Sequence, residues 1–169
     1  MSSFSGWAVV DLKDGRDAVD FVEALGEVIE GAYSVLVERR RVFVYAGYAP
    51  LLYSEVATLM PEWGSRAITA GDFDEQGVVN QVLGADGTAV HTASINEGAG
   101  ALPRNDTPQA RRAAARLFGV DAAALDEVSA TWAARGAMPS VLGEPYLRWW
   151  TALGVPWPDD FGRRAVARG

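Results

Sequence analysis

The sequence contains no cysteine and only one histidine, His91. Without cysteine the chain cannot form a disulfide, use a thiolate nucleophile, or hold zinc or an iron–sulfur cluster through thiolates. One histidine is also too few for a zinc site built on several imidazoles, whereas carboxylates for magnesium or calcium are plentiful. No motif in the chain requires a metal or cofactor, so we predict none.

Long apolar runs are also missing. No stretch reaches the ~18 apolar residues that a membrane helix needs, and Met1 to Val10 lacks the basic start of a secretory signal. We therefore expect a cytoplasmic protein that does not enter a membrane. The 169 residues suit one domain, residues 1–169, and the hydrophobic share of 49% is that of a globular chain rather than a disordered one.

Positive charge is scarce and unevenly placed. The net charge is −7, and residues 1–100 carry 15 acidic and 6 basic side chains, against 7 and 9 in residues 101–169. An acidic surface repels phosphate backbones and attracts basic surfaces, which argues against nucleic acid and for a basic protein partner. The alternative is that the acidity only keeps the protein soluble.

Hydrophobic periodicity predicts a β-rich part, about residues 1–100, followed by a helical part, about residues 107–155. The expected class is α+β, with an antiparallel or mixed sheet and helices on one face. Strands are predicted at Trp7–Leu12, Tyr33–Val37, Val42–Ala46, Arg66–Thr69, Val78–Leu83 and Thr88–Ile95, and helices from Asp17 to Gly31, Leu51 to Met60, Thr107 to Phe118, Asp121 to Arg135 and Pro145 to Leu153.

Catalytic motifs are lacking. No serine lies in a G-x-S-x-G setting, His91 has no recognisable partner, and the glycines around Gly98 complete no phosphate-binding loop. The helix pair after Thr107 has the spacing of a DNA-reading pair, but its second helix would present Asp121 and Asp126 to the groove. The sequence thus favours a protein that is not an enzyme, with no catalytic residue.

The acidic segment from Gly71 to Gly77 is predicted to be a loop, and its alternating carboxylates are similar to the opening of a calcium-binding loop. The position that needs a bidentate glutamate holds Leu83, however, so a solvated turn is the preferred interpretation.

A cluster of aromatic residues lies near the C-terminus, where Tyr146, Trp149 and Trp150 share one predicted helix face. Such a face can clamp a helix onto the sheet or form an interface.

Two hypotheses for function follow. The leading one is a non-enzymatic acidic binding protein, such as a bacterial immunity protein, an antitoxin or a regulator, since these include many small acidic proteins without a catalytic set. Its predicted contacts with a basic partner are the carboxylates of Asp14, Glu23, Glu27, Asp72, Asp74 and Glu75.

The alternative is a small-molecule-binding or hydrolytic domain with an aromatic pocket between the sheet and the C-terminal helices. Its predicted lining is Tyr45, Tyr48, His91, Trp149 and Trp150. A carboxylate with a strongly shifted pKa inside a deep aromatic cleft would favour this alternative, whereas a flat acidic face would favour the binding protein.

Overall fold

The computed structural model describes residues 4–47, 52–73, 77–96, 104–132 and 147–169. The elements follow one another as β1 (Phe4–Leu12), α1 (Ala18–Val28), β2 (Tyr33–Glu38), β3 (Arg41–Gly47), α2 (Leu52–Trp63), β4 (Gly64–Phe73), β5 (Gly77–Leu83), β6 (Ala89–Asn96), α3 (Pro108–Phe118), α4 (Ala122–Trp132), α5 (Leu147–Ala152), α6 (Phe161–Arg164) and β7 (Val166–Arg168).

The strands form one seven-stranded antiparallel sheet with the order β6-β5-β4-β1-β3-β2-β7. The first strand lies at the centre, because β1 pairs with β3 along one edge and with β4 along the other. Its side chains alternate between the faces, so that Trp7 and Val9 point to one side and Ala8 and Val10 to the other. The α+β class and the antiparallel sheet are confirmed.

Each face of the sheet carries its own hydrophobic core. On the α1–α2 face, Ala8 and Val10 pack with Phe21 of α1 and Met60 of α2. On the opposite, α3–α6 face, the strands pack with α3, α4, α5 and the segment that includes α6, which contribute these buried side chains: Ala114, Phe118, Leu125, Trp132, Trp149, Trp150, Leu153 and Phe161. Burial of each large apolar side chain is worth roughly 1.5–3 kcal/mol, so both faces contribute to stability.

The helices therefore cover both faces, not one as the sequence predicted. Helical periodicity shows that a helix has an apolar stripe, but it does not show which face of a sheet receives that stripe. The segment from Trp7 to Val10 is continuously apolar, which is the pattern of a strand buried on both sides.

Local signals place several helix ends. Asp17 caps α1, its carboxylate accepting from the backbone N–H of Val19 at 2.8 Å. Thr107 caps α3 in the same way, and Pro108 occupies the first turn. Gly119 ends α3 with φ of 67°, in the left-handed region that glycine enters without strain.

Other boundaries differ from the prediction. Pro61 lies inside the last turn of α2, and β4 runs on to Phe73, so that Gly71 to Phe73 are strand rather than loop. The short elements α6 and β7 were not predicted, and β7 pairs with β2 at the sheet edge.

Residues 133–146 lie outside the described residues. They include the predicted end of one helix at Arg135 and the predicted start of another at Pro145, so a wholly helical C-terminal third stays a prediction.

Candidate functional site

The carboxylates of α1 form an exposed acidic surface. Phe21, Val22 and Leu25 are buried against the sheet, so the helical repeat turns the remaining positions toward solvent. We call this surface the α1 acidic face; it consists of Asp20, Glu23, Glu27 and Glu30, all exposed. Within the described ranges none of the four forms an ion pair, and the sequence from Asp17 to Glu38 holds no lysine or arginine.

The other predicted partner contacts do not join this face. Asp14 is exposed but forms an ion pair with Arg40 in the β2–β3 turn. Asp72 is half-buried within β4, where it lies opposite Ser5 of β1, and Asp74 and Glu75 lie outside the described residues. Of the six predicted carboxylates, the structure thus brings together Glu23 and Glu27.

The predicted aromatic pocket residues that the structure describes are core side chains. Trp149 and Trp150 are 0% and 1% exposed, and the indole N–H of Trp150 donates to Asn80 Oδ1 at 2.8 Å. Tyr45 is half-buried and packs on Trp7 with 5.5 Å between ring centroids. Tyr48 lies outside the described residues. These tryptophans hold α5 against the sheet, and the pocket stays a prediction.

His91 belongs to a buried polar network that sequence reasoning missed. Its ring lies 4.7 Å from that of Trp149 between centroids, and its Nε2 lies 2.9 Å from Asp106 Oδ1. Asp106 also accepts from Arg111 Nη1 at 2.7 Å and from Ser129 Oγ at 2.6 Å. The network joins β6 to α3 and α4, and the side chains of His91 and Asp106 are only 1% and 2% exposed.

Electrostatics keep Asp106 ionised. Burial by itself would raise the pKa of its carboxyl, but hydrogen bonds from His91, Ser129 and Arg111 outweigh burial and hold that pKa well below its ordinary value. Only the cap at Thr107 marked this segment in the sequence, because two of the partners of Asp106, His91 and Ser129, lie 15 and 23 residues away from it.

The order of groups in this network differs from that of a nucleophilic triad. A triad requires histidine between the nucleophile and the carboxylate, so that the imidazole accepts the hydroxyl proton. Here Asp106 lies between Ser129 and His91, and Ser129 donates to the carboxylate. The arrangement orients side chains and binds elements together, but it does not activate Ser129.

The surface also has an open cleft of about 1060 Å³. It lies where the end of β1, the β2–β3 turn, the start of β4 and the end of α3 meet. Its basic lining residues are Lys13, Arg39, Arg40, Arg41 and Arg66, and its acidic ones are Asp11, Asp14 and Glu38. From the sequence, Arg39 to Arg41 were only the turn between two predicted strands and Arg66 the start of another, because the strand order that brings Arg66 beside Arg41 cannot be seen in the sequence.

The described residues contain no group of three or more His, Cys, Asp and Glu side chains placed to hold a metal ion. No helix in the same ranges has the length and apolar character needed to cross a membrane.

Comparison with known proteins gives no relative for this chain: no family model matches it, and no curated protein and no solved structure is similar to it at a significant level. The function must therefore be inferred from the geometry of the chain itself.

Proposed function

We propose that this protein is a non-enzymatic binding protein that engages a basic protein partner through the α1 acidic face. In this proposal the protein acts in a bacterial cytoplasm as an immunity protein, an antitoxin or a regulator. The observation that carries the proposal is that four exposed carboxylates on and just after α1 form no ion pair with a described residue.

A contrast with three other carboxylates supports this interpretation. Asp11, Asp14 and Asp106 each have an arginine partner, so their charge is neutralised within the protein. The charge of the α1 acidic face is instead directed at solvent, where it accelerates encounter with a positive surface and sets its orientation.

The spacing of these carboxylates also has a cost. Glu23 and Glu27 stand four residues apart on one helix, and Asp20 and Glu23 stand three apart. Like charges at these spacings destabilise a helix by roughly 0.2–0.5 kcal/mol per pair. An exposed surface that only needed solubility could interleave both signs, so the uniform charge favours an external partner.

The state of His91 agrees with a non-enzymatic role. The single histidine is buried and bonded to Asp106, which leaves no exposed imidazole in the chain to act as a general base. The hydrolytic alternative stays a prediction. The carboxylate of Asp106, whose pKa is strongly lowered, does contact His91 of the predicted lining, but both side chains are buried and do not line a described cleft.

The test is affinity capture from the native cytosol with the wild type and two charge variants, at low and at high salt. One variant carries Glu23→Gln and Glu27→Gln. The matched control carries Glu127→Gln and Asp159→Asn, which remove the same charge from exposed positions outside α1. Both should fold, because the described residues give none of these carboxylates an ion-pair partner.

We expect the wild type and the control to retain the same basic protein, and the Glu23/Glu27 variant to lose it. With purified partner, association should slow by about tenfold or more for that variant, since steering by charge changes on-rates by factors of 10 to 1,000. Capture of the same proteins by all three chains, or a partner retained at high salt, would contradict the proposal.

A further inference from the structure

The cleft beside the β2–β3 turn gathers positive charge on an otherwise acidic protein. Five of its lining residues are basic and three are acidic, although the whole chain has a net charge of −7. The volume of about 1060 Å³ lies just above the range of roughly 300–1,000 Å³ typical of small-molecule sites. This concentration of cations in a concave surface requires an explanation other than solubility.

Two arginines in the cleft are fixed by a shared carboxylate. Asp11 accepts from Arg41 through Nε at 2.6 Å and Nη2 at 3.0 Å, and from Arg66 through Nε at 2.6 Å. The three side chains come from β1, β3 and β4, which are neighbours in the sheet. One negative charge thus orients two positive ones and leaves a net positive charge.

Arg66 is held on its other side as well. Its Nη1 donates to the carbonyl of Leu117 at 2.9 Å, and its guanidinium carbon lies 4.5 Å from the centre of the Phe118 ring. A guanidinium has five N–H donors in a rigid plane. After these contacts Nη2 of Arg66 and Nη1 of Arg41 still have donors that no described residue accepts, and both side chains are 29% exposed.

The electrostatics of Asp11 keep this arrangement intact. Burial would raise the pKa of its carboxyl, but hydrogen bonds from Arg41 and Arg66 outweigh burial and lower that pKa. Asp11 therefore remains ionised near neutral pH and continues to position both arginines when an anion approaches.

The turn adds further cations at the rim. Glu38 pairs with Arg41 in register, so Arg39 and Arg40 form a two-residue hairpin turn. Arg39 has φ of 59°, in the region that two-residue turns usually fill with glycine or asparagine. Among the arginines of the lining, Arg39 alone has no partner among the described residues. The two nearby carboxylates are already paired, Asp14 with Arg40 and Glu38 with Arg164, which lies outside the lining.

We propose that this cleft binds a small molecule that carries a phosphate group, with Arg41 and Arg66 as the fixed donors and Arg39 as a mobile one. A phosphate has three acceptor oxygens and a charge of about −1.5 to −2 at neutral pH. Both match the spare guanidinium donors and the excess of two basic residues in the lining, and arginine is the residue best suited to such bidentate contacts. The site is separate from the α1 acidic face and does not depend on the partner proposed above.

The experiment titrates the full-length protein with inorganic phosphate and with pyrophosphate at constant ionic strength, by calorimetry and by the NMR signals of the arginine Nε–H groups. The informative variant is Arg39→Gln, because this exposed side chain supports no described contact and the variant should fold. Arg41→Lys tests the fixed pair, with circular dichroism to verify its fold. The matched control is Arg112→Gln, an exposed arginine of α3 outside the cleft.

We expect saturable binding that Arg39→Gln weakens about three- to tenfold, that Arg41→Lys weakens more, and that Arg112→Gln leaves unchanged. The Nε–H signals of Arg41 and Arg66 should shift with the same affinity. The proposal would be overturned by the absence of saturable binding, by an equal loss in the Arg112→Gln control, or by a preference for citrate over both phosphates. Tighter binding of a DNA or RNA oligonucleotide would also overturn it, because the phosphate would then belong to a nucleic acid.

Discussion

The Asp106 network gives the most direct stability prediction. Asp106→Asn keeps the shape of the side chain but removes the charge that His91, Arg111 and Ser129 all contact. Removing one partner of a buried ion pair costs about 3–5 kcal/mol, because the remaining charge stays buried without compensation. Arg111 retains Asp126 at 2.6 Å, so we expect the lower end, about 3 kcal/mol.

For a chain of this length 1 kcal/mol corresponds to about 2–4 °C in Tm, so Asp106→Asn should lower Tm by about 6–12 °C. Urea unfolding followed by tryptophan fluorescence suits the measurement, since Trp149 lies next to His91. The matched control is Asp126→Asn, whose side chain is 55% exposed and whose loss should cost at most about 1 kcal/mol.

The lowered pKa of Asp106 also determines the direction in which the free energy of unfolding changes with pH. The folded pKa of Asp106 lies below its unfolded value, so its contribution to the free energy of unfolding is complete above about pH 5. That contribution disappears as the pH falls toward the folded pKa. Asp106→Asn should therefore lose less stability on acidification than the wild type. Equal destabilisation by Asp106→Asn and Asp126→Asn, or an unchanged acid dependence, would refute the assignment of Asp106 as a buried ionised link.

Five smaller substitutions test local features. Trp150→Phe removes the donor to Asn80 Oδ1 and should cost about 1–3 kcal/mol in urea unfolding; a neutral result would mean that this bond is not made. Gly119→Ala introduces backbone strain alone, since nothing lies within 4 Å of its added Cβ, whereas Gly87→Ala combines φ of 81° with a clash against the backbone of α2 at Ala57. We expect about 1–2 kcal/mol for Gly119→Ala and a larger loss for Gly87→Ala, and the reverse order would contradict the described packing. Thr107→Ala should lower stability by about 0.5–2 kcal/mol through loss of the α3 cap, and Thr107→Ser should restore most of it.

Local chemistry made part of this fold predictable. Asp17 and Gly119 act within one helical turn of their own position, so a few neighbouring letters were enough to place the ends of α1 and α3. The β5–β6 hairpin was predictable for the same reason, because its turn at Asp86 and Gly87 joins two apolar runs.

Contacts between distant segments were not predictable. Asp106 meets His91 and Ser129, and Arg66 meets Asp11, only because of the strand order and the helix packing. Composition identified the acidic character of the N-terminal half, but it could not show that Asp14 is neutralised by Arg40 while Glu23 and Glu27 are not. Of the six carboxylates predicted to contact a partner, the structure therefore brings together Glu23 and Glu27.

The central position of β1 bears on how the protein is made. Strands β1 to β6 all come from the first 96 residues, with β1 in the middle, so the sheet can grow outward in both directions as the chain leaves the ribosome. The helices α3 to α5 are synthesised afterwards. Until they emerge, Trp7, Phe43 and Ile68 lie on a sheet face that lacks its cover. Nascent chains of intermediate length therefore present an apolar surface of the kind that chaperones bind and that aggregates form from.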